Sequence, residues 1–347
     1  MILFRTDATP QIGFGHLTRC RALAYAVREQ GESSVMVGPD QTYANKDDAR
    51  LFDVWLPQAW SDAEADAIHL AALAEQFGAK KLALDDYRVN EAYQRVLRDK
   101  GLKWLQFEAR TTHPIWADIV LNASPAAKVE DYAPMLRNLD AQLLLGPRYA
   151  VLSPEFASVQ PRNPRRPIRR VLVTFGGGDD RGATRFVLSA LLPATPSDLQ
   201  FMVISGAHNP RNAENLDWIK EFGQGRVSFD INPKSVASLF LECDLAVMAG
   251  GTSTYEAARC GLPMLLITIA DNQTSQSKTW DDIGAAKWLG SLEDLQNEEL
   301  INEFNVLLNN EQNLALMSIA GSRLVDGNGA HKIAKIFSQN SSLNYGD

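Results

Sequence analysis

The sequence lacks the features that mark several large classes of protein. Its three cysteines are odd in number and widely spaced, which argues against both a disulfide framework and a zinc site. No apolar run approaches the roughly 18 residues of a membrane-spanning helix. Acidic residues outnumber basic ones by 42 to 34, giving a net charge of −8, whereas nucleic-acid-binding proteins usually carry a basic excess. We therefore predict a cytoplasmic protein that spans no membrane and binds no nucleic acid.

The chain is long enough for two domains, with 347 residues of ordinary globular composition. Short apolar runs, typical of buried parallel strands, alternate with amphipathic stretches. The strand candidates are residues 2–6, 34–38, 81–85, 103–107, 118–121, 142–145, 171–175, 201–205, 227–229, 245–248 and 264–269. The helix candidates are 17–29, 62–77, 181–192, 212–222, 234–242, 252–260 and 273–283. This rhythm restarts halfway along the chain and predicts an α/β protein with two doubly wound, Rossmann-like domains.

A segment rich in proline and arginine separates the two halves. The prolines between residues 154 and 169 should keep the chain extended, and a solvated linker is the favoured interpretation of the arginines. We predict a first domain over 1–153, a linker over 154–169, a second domain over 170–338 and a polar tail over 339–347. Ligands of doubly wound sheets bind beyond the carboxyl ends of the strands, so a cleft is expected between the two sheets.

A glycine turn with a histidine follows the first strand candidate. Gly13 and Gly15 precede His16, and glycine allows a tight turn that a ligand can approach closely. The turn places His16 at the amino terminus of the next helix, whose dipole opposes a positive charge on the ring. His16 should therefore be neutral and able to accept a proton, with simple helix capping as the alternative.

Another turn between strand and helix combines glycines with hydroxyl residues. It comprises Gly250, Gly251, Thr252, Ser253 and Thr254. Such a turn at a helix amino terminus suits an anion such as a diphosphate, and it lacks the lysine of a Walker-type nucleotide site. Glu256 could accept hydrogen bonds from ribose hydroxyls, or act as a capping-box partner of Ser253.

Two further turns follow strands of the second half. Gly176 and Gly177 lead to Asp179, where lining a ligand and a plain strand-to-helix turn are both open. Asn272 and Gln273 could contact a sugar through their amides, or cap the next helix.

An acidic pair, Asp85-Asp86, precedes Tyr87 at the end of a strand candidate. Consecutive residues of a strand point to opposite faces, so this pair cannot chelate a metal jointly. We predict no metal site and no resident cofactor. Tyr87 lies where it could point into the cleft.

Taken in order, these motifs resemble one enzyme family over roughly residues 1 to 290. The matching residues are Gly13-Phe14-Gly15-His16 with Arg19, Asp85-Asp86-Tyr87, Leu145-Gly146-Pro147-Arg148-Tyr149-Ala150, Phe175-Gly176-Gly177-Gly178-Asp179, Ala249-Gly250-Gly251-Thr252-Ser253-Thr254 with Glu256, and Asn272-Gln273. The family is that of the UDP-2,4-diacetamido-2,4,6-trideoxy-β-L-altrose hydrolases of pseudaminic acid biosynthesis, which is similar in fold to the GT-B glycosyltransferases.

The resemblance implies roles for individual residues. His16 would activate water and Tyr87 would line the sugar site in the first domain, while the second domain would hold UDP. The implied ligands of substrate and UDP are Gly13, Gly15, Arg19, Gly176, Gly177, Asp179, Gly250, Gly251, Thr252, Ser253, Thr254, Glu256, Asn272 and Gln273.

The chain departs from the family pattern at two turns. The family usually has histidine and glycine where this chain has Asp86 and Arg88, and an aspartate pair where it has Glu108-Ala109. Both turns are expected near the sugar, so the sugar or the acceptor could differ. The sequence therefore predicts a UDP-sugar hydrolase. A GT-B glycosyltransferase and a non-catalytic nucleotide-sugar binder remain as alternatives, as does TDP in place of UDP.

Overall fold

The computed structural model describes residues 1–9, 12–163 and 167–339, which form two compact units. The second unit comprises Glu155–Gly327, and the first comprises the residues before and after that range. Each unit is built on one parallel sheet with helices between the strands, which confirms the predicted pair of doubly wound α/β domains. No helix in the described ranges is long and apolar enough to cross a membrane.

The first unit has a sheet of seven strands. They are β1 (Ile2–Thr6), β2 (Ser34–Gly38), β3 (Val54–Pro57), β4 (Lys81–Asp85), β5 (Lys103–Phe107), β6 (Ile119–Asn122) and β7 (Gln142–Leu145). The helices among them are α1 (Gly15–Glu29), α2 (Asp48–Leu51), α3 (Ala63–Gln76), α4 (Glu91–Asp99) and α5 (Val129–Tyr132). The strand order is β3-β2-β1-β4-β5-β6-β7, and β1 and β4 are buried along their whole length because helices cover both faces.

The second unit has a sheet of six strands. They are β8 (Arg170–Thr174), β9 (Gln200–Ser205), β10 (Val227–Ile231), β11 (Leu245–Met248), β12 (Met264–Thr268) and β13 (Ala286–Ser291), in the order β10-β9-β8-β11-β12-β13. The helices are α6 (Ala183–Ala194), α7 (Asn212–Phe222), α8 (Val236–Glu242), α9 (Ser253–Cys260), α10 (Thr274–Asp282), α11 (Asn297–Leu308) and α12 (Glu311–Leu324).

Both sheets share the same reversal of strand order. In the first unit the chain builds outward from β1 on one side and then returns to add β4 on the other side of β1. In the second unit the equivalent neighbours are β8 and β11. The connections that leave these two strands diverge to opposite faces, which opens a crevice at their carboxyl ends where doubly wound proteins bind ligands.

The last helix, α13 (Gly329–Gln339), lies in the first unit. The sequence analysis assigned residues up to 338 to the second domain, and this part of the assignment is wrong. Apolar residues of α13, among them Ile333 and Phe337, pack in one core with Leu23 and Val27 of α1. Lys81 at the start of β4 donates to the Phe337 carbonyl at the end of α13 at 2.8 Å.

The expected solvated linker is instead folded onto the second unit. Phe156 is fully buried and packs edge-on against Phe240. Arg162 is 9% exposed and donates to the Asp244 carboxylate at 3.1 Å, while Arg259 donates to the Phe156 carbonyl at 3.0 Å. A buried carboxylate needs such a cation, and the neighbouring prolines do not prevent the contact. Pro164, Arg165 and Arg166 of the predicted linker lie outside the described residues.

Substitutions in this segment should separate a packed arginine from a solvated one. Arg162→Ala removes a guanidinium that donates to the buried Asp244 carboxylate, and we expect a loss of about 3 kcal/mol in the free energy of unfolding. Arg169→Ala is the matched control, because its ion pair with Asp198 is exposed on both sides and should contribute less than about 1 kcal/mol. Urea unfolding measures both. Equal losses would mean that Arg162 is not anchored as described.

Candidate functional site

His16 and Asp85 meet at the carboxyl edge of the first sheet. His16 lies in the first turn of α1, just after β1, and Asp85 is the last residue of β4. The His16 Nδ1 atom is 2.6 Å from Oδ1 of Asp85. Because a carboxylate only accepts hydrogen bonds, this contact favours a proton on Nδ1, and Nε2 is then the ring nitrogen that can accept one. This is the arrangement of a general base with an orienting carboxylate.

Arg19 completes the group from one turn further along α1. Its Nε and Nη2 atoms donate to Oδ2 and Oδ1 of Asp85 at 3.0 and 2.8 Å. Burial alone would raise the pKa of Asp85, but the charge of Arg19 and the contact with His16 outweigh that effect and hold the pKa below its usual value. Asp85 therefore stays ionised. Arg19, predicted as a substrate ligand, is seen here as the counter-charge of Asp85.

Tyr87 packs against the histidine. Its ring meets the His16 ring edge-on, with the centroids 4.7 Å apart, and 43% of the residue is exposed. The two glycines before His16 differ in role. Gly13 has φ +89°, a conformation that favours glycine, and donates to the Thr9 carbonyl at 2.7 Å, whereas Gly15 begins α1. The structure thus brings Gly13, Gly15, His16 and Tyr87 together.

The two turns that depart from the family pattern bury their carboxylates. Asp86 is 8% exposed and accepts from Arg88 at 2.9 and 2.6 Å. Glu108 is 2% exposed and accepts from Arg110 at 3.1 Å. Both turns lie beside Tyr87, and neither carboxylate is open to a ligand.

The glycine turn of the second unit lies between β11 and α9. A Cβ atom on Gly250 would collide with the Ser277 hydroxyl of α10, so close packing requires glycine there. A Cβ on Gly251 would meet only Gln273 Nε2, at 3.9 Å, among described atoms. The protein's own packing therefore does not require glycine at 251, and the bare backbone leaves room over the start of α9. The N–H groups of Thr254 and Tyr255 donate to the Gly251 and Thr252 carbonyls at 3.2 and 3.1 Å, so those of Gly251, Thr252 and Ser253 are the ones that suit an anion at this helix start.

Thr254 was predicted to bind UDP, but its side chain is enclosed by protein atoms. It is fully buried, its hydroxyl donates to the Gly251 carbonyl at 2.8 Å, and Trp280 Nε1 donates to it at 3.1 Å. Gln276 Nε2 donates to the carbonyls of Gly250 and Gly251 at 2.9 and 3.0 Å. These bonds fix the turn, while Thr252 is exposed and Ser253 partly so.

Glu256 is partly buried one turn into α9. Burial raises its pKa to about 7, with a hydrogen bond from Ser253 opposing the shift and the charge of Glu155 adding to it. This contact is not the capping box that the sequence analysis gave as the alternative, because α9 begins at Ser253 and its cap residue, Thr252, makes no side-chain capping bond. A carboxyl group with this pKa is poised between its charged and neutral forms at neutral pH.

The remaining predicted ligands occupy neighbouring turns. Gly176 follows β8, where its φ of +92° favours glycine, and Gly177 packs against Gly206. Asp179 accepts from Arg211 Nε at 2.9 Å, so its carboxylate has a protein partner. Gln273 follows β12 and accepts from the Ile269 N–H at 3.0 Å, while Asn272 is exposed. Both turns lie after strands that flank β11.

Sequence reasoning missed two members of these sites. Asp85 was noted in a motif but not as the partner of His16, and only its position at the end of the strand next to β1 could have indicated that role. Gln276 carried no signal in the sequence. Arg5 of β1 is fully buried and donates to Asp66 at 2.9 Å, so its charge is matched within the first unit.

The chain is similar in sequence to proteins of known name. No protein-family model matches it. The spore coat polysaccharide biosynthesis protein SpsG of Bacillus subtilis is 30% identical over 193 residues, which cover 55% of this chain and 56% of SpsG. The UDP-2,4-diacetamido-2,4,6-trideoxy-β-L-altropyranose hydrolase of Campylobacter jejuni is 24% identical over 283 residues, which cover 80% of this chain and 95% of the hydrolase. The match thus spans about half of SpsG, and the resemblance found in the motifs is confirmed.

Solved structures place the fold in a class. MurG of Acinetobacter baumannii superposes with a TM-score of 0.69 at 16% identity, covering 97% of this chain and 99% of MurG. The co-structure of S. aureus MnaA with UDP gives 0.66 at 13% identity, covering 100% and 98%. At these identities the likeness shows the fold, and that fold is of the GT-B type.

The raised pKa of Glu256 predicts how stability changes with pH. The folded chain holds a proton on Glu256 up to about pH 7, whereas the unfolded chain releases it near pH 4.3. The stabilisation is therefore full below the unfolded value and is lost as pH rises towards the folded value. Between pH 5 and pH 8 the wild type should lose on the order of 2 kcal/mol more than Glu256→Gln, measured by urea unfolding. Parallel pH curves for the two proteins would contradict the shift.

Proposed function

We propose that the protein is an enzyme that hydrolyses a UDP-linked diacetamido-trideoxy sugar and releases UDP. The observation that carries the proposal is the His16–Asp85 pair at the reversal point of the first sheet. It occurs in a chain that is similar over 80% of its length to a hydrolase of such a substrate.

The first unit supplies the base. Nε2 of His16 takes a proton from water as the oxygen attacks the anomeric carbon, and the bond from that carbon to the UDP oxygen breaks. Asp85 accepts from Nδ1, which keeps Nε2 available and stabilises the charged ring that forms. Tyr87 lines the sugar beside the base. General bases of this kind contribute roughly 10²–10⁴-fold.

The second unit binds the leaving group. The diphosphate lies at the amino terminus of α9, over Gly251, where backbone N–H groups stabilise the charge that develops on UDP. Glu256 accepts from the ribose hydroxyls. Support comes from S. aureus MnaA, which shares the fold and was solved with UDP.

A glycosyltransferase is the second candidate, and the GT-B fold favours it. The same histidine would then deprotonate a hydroxyl of a sugar or peptide acceptor instead of water. A binder without activity is the third possibility, although an ionised carboxylate on a buried histidine is more typical of catalysis.

Nucleotide release separates these candidates. The full chain is incubated with a panel of UDP- and TDP-sugars in ¹⁸O-labelled water, with and without acceptors. We expect release of UDP in buffer alone, with the label on the sugar C1 hydroxyl. Release that requires an acceptor would establish a transferase, and tight binding without release would establish a binder. Label in UDP would mean attack at phosphorus and would contradict the mechanism.

Substitution of the two base residues tests the chemistry. His16→Ala and Asp85→Asn should each lower kcat by roughly 10²–10⁴-fold, because the first removes the base and the second lets the ring adopt the wrong tautomer. UDP affinity, measured by calorimetry, should change little. His69→Ala is the control, since His69 is exposed on α3 and should retain wild-type activity. Unchanged release by His16→Ala would remove it as the base.

A further inference from the structure

We propose that Arg110 is a positioning residue that holds Tyr87 against His16. The inference rests on the proposed role of His16 as the base. It starts from a cluster that the mechanism does not use, the turn after β5, where Glu108-Ala109 stands in place of the aspartate pair of the family pattern and Arg110 follows.

The carboxylate of Glu108 fixes the position of Arg110. The carboxylate is buried, and it accepts from the Arg110 N–H at 2.7 Å and from Arg110 Nε at 3.1 Å. Gln106 Nε2 donates to its other oxygen at 2.9 Å, and His113 Nε2 lies 3.2 Å from the same oxygen. With both oxygens bonded, Glu108 fixes the start of the arginine side chain.

Arg110 in turn donates to two backbone carbonyls in the turn that carries Tyr87. Its Nη1 donates to the Tyr87 carbonyl, and its Nη2 donates to the Val89 carbonyl at 3.3 Å. The guanidinium also lies 5.7 Å from the centroid of the Tyr87 ring. Arg110 thus holds both the backbone and the ring of the residue that packs on His16.

A second ion pair closes the other side of this turn. Arg88 donates to Asp86 and, at 2.6 Å, to Asp7 beyond β1, and its guanidinium lies 4.3 Å from the Trp60 ring centroid. The turn from Asp86 to Val89 is therefore tied to β1 by Arg88 and to β5 by Arg110. An exposed tyrosine would otherwise be free to change rotamer, so these contacts set its position over the base.

Histidine NMR tests the inference without any substrate. In the full chain labelled with ¹³C-histidine, the five histidines give separate Cε1–H signals, and His16→Gln identifies that of His16. Tyr87→Leu defines the shift caused by losing the ring. Arg110→Met, which keeps the length but removes the donors, should move the His16 signal in the same direction. Arg95→Met is the control, because Arg95 is an exposed arginine of α4 paired with Glu91.

An unmoved His16 signal in Arg110→Met would overturn the inference, whatever reaction the protein catalyses. When a UDP-sugar that the wild type hydrolyses is used as substrate, Arg110→Met should have a kcat about 10–10²-fold lower than the wild type and a nearly unchanged KM. Arg110→Lys, which keeps the charge, should recover part of the loss. A shifted signal with unchanged kcat would also overturn the inference. If Arg110→Met does not fold, Glu108→Gln should move the His16 signal by a smaller amount in the same direction. An unmoved signal in Glu108→Gln would then overturn the inference.

Discussion

Asp85 exposes only 1% of its surface, and an isolated carboxylate so deeply buried would be strongly disfavoured. Arg19 and His16 supply the compensating charge and hydrogen bonds, and both belong to α1. Asp85 belongs to β4, so the group can form only if the strand before α1 lies beside β4. The register of the sheet provides this, since Thr6 pairs with Asp85. The group of His16, Arg19 and Asp85 therefore depends on the pairing of β1 with β4.

The second unit uses the same topology for a different purpose. Its reversal point lies between β8 and β11, where the turn after β11 holds glycines and hydroxyls instead of a histidine and a carboxylate. Gly251 and the start of α9 offer backbone donors, which suit an anion and cannot move protons at neutral pH. One sheet edge thus fits acid–base chemistry and the other fits phosphate binding. Two copies of one architecture can carry different groups in this way because these residues lie on turns after the strands.

The sequence predicted the fold class and eleven of the strands, because buried parallel strands read as continuous apolar runs. It missed β3 and β13, which are both edge strands. A proline interrupts the apolar run in β3, and a lysine and a glycine interrupt it in β13. His16 was found because a glycine turn marks it locally. The bond to Asp85, the burial of Arg162 and the return of α13 to the first unit depend on contacts between distant segments, which no local pattern encodes.

At both departures from the family pattern, the sequence places an acidic residue close to an arginine. Asp86 and Glu108 each stand two residues before an arginine. In both turns the arginine N–H and its guanidinium donate to that carboxylate, the N–H bonds being 2.9 and 2.7 Å long. Each turn is therefore closed by its own ion pair, and one partner alone would leave a buried charge. The acid and the arginine are physically coupled, so the departures concern the support of Tyr87 more directly than contact with a sugar.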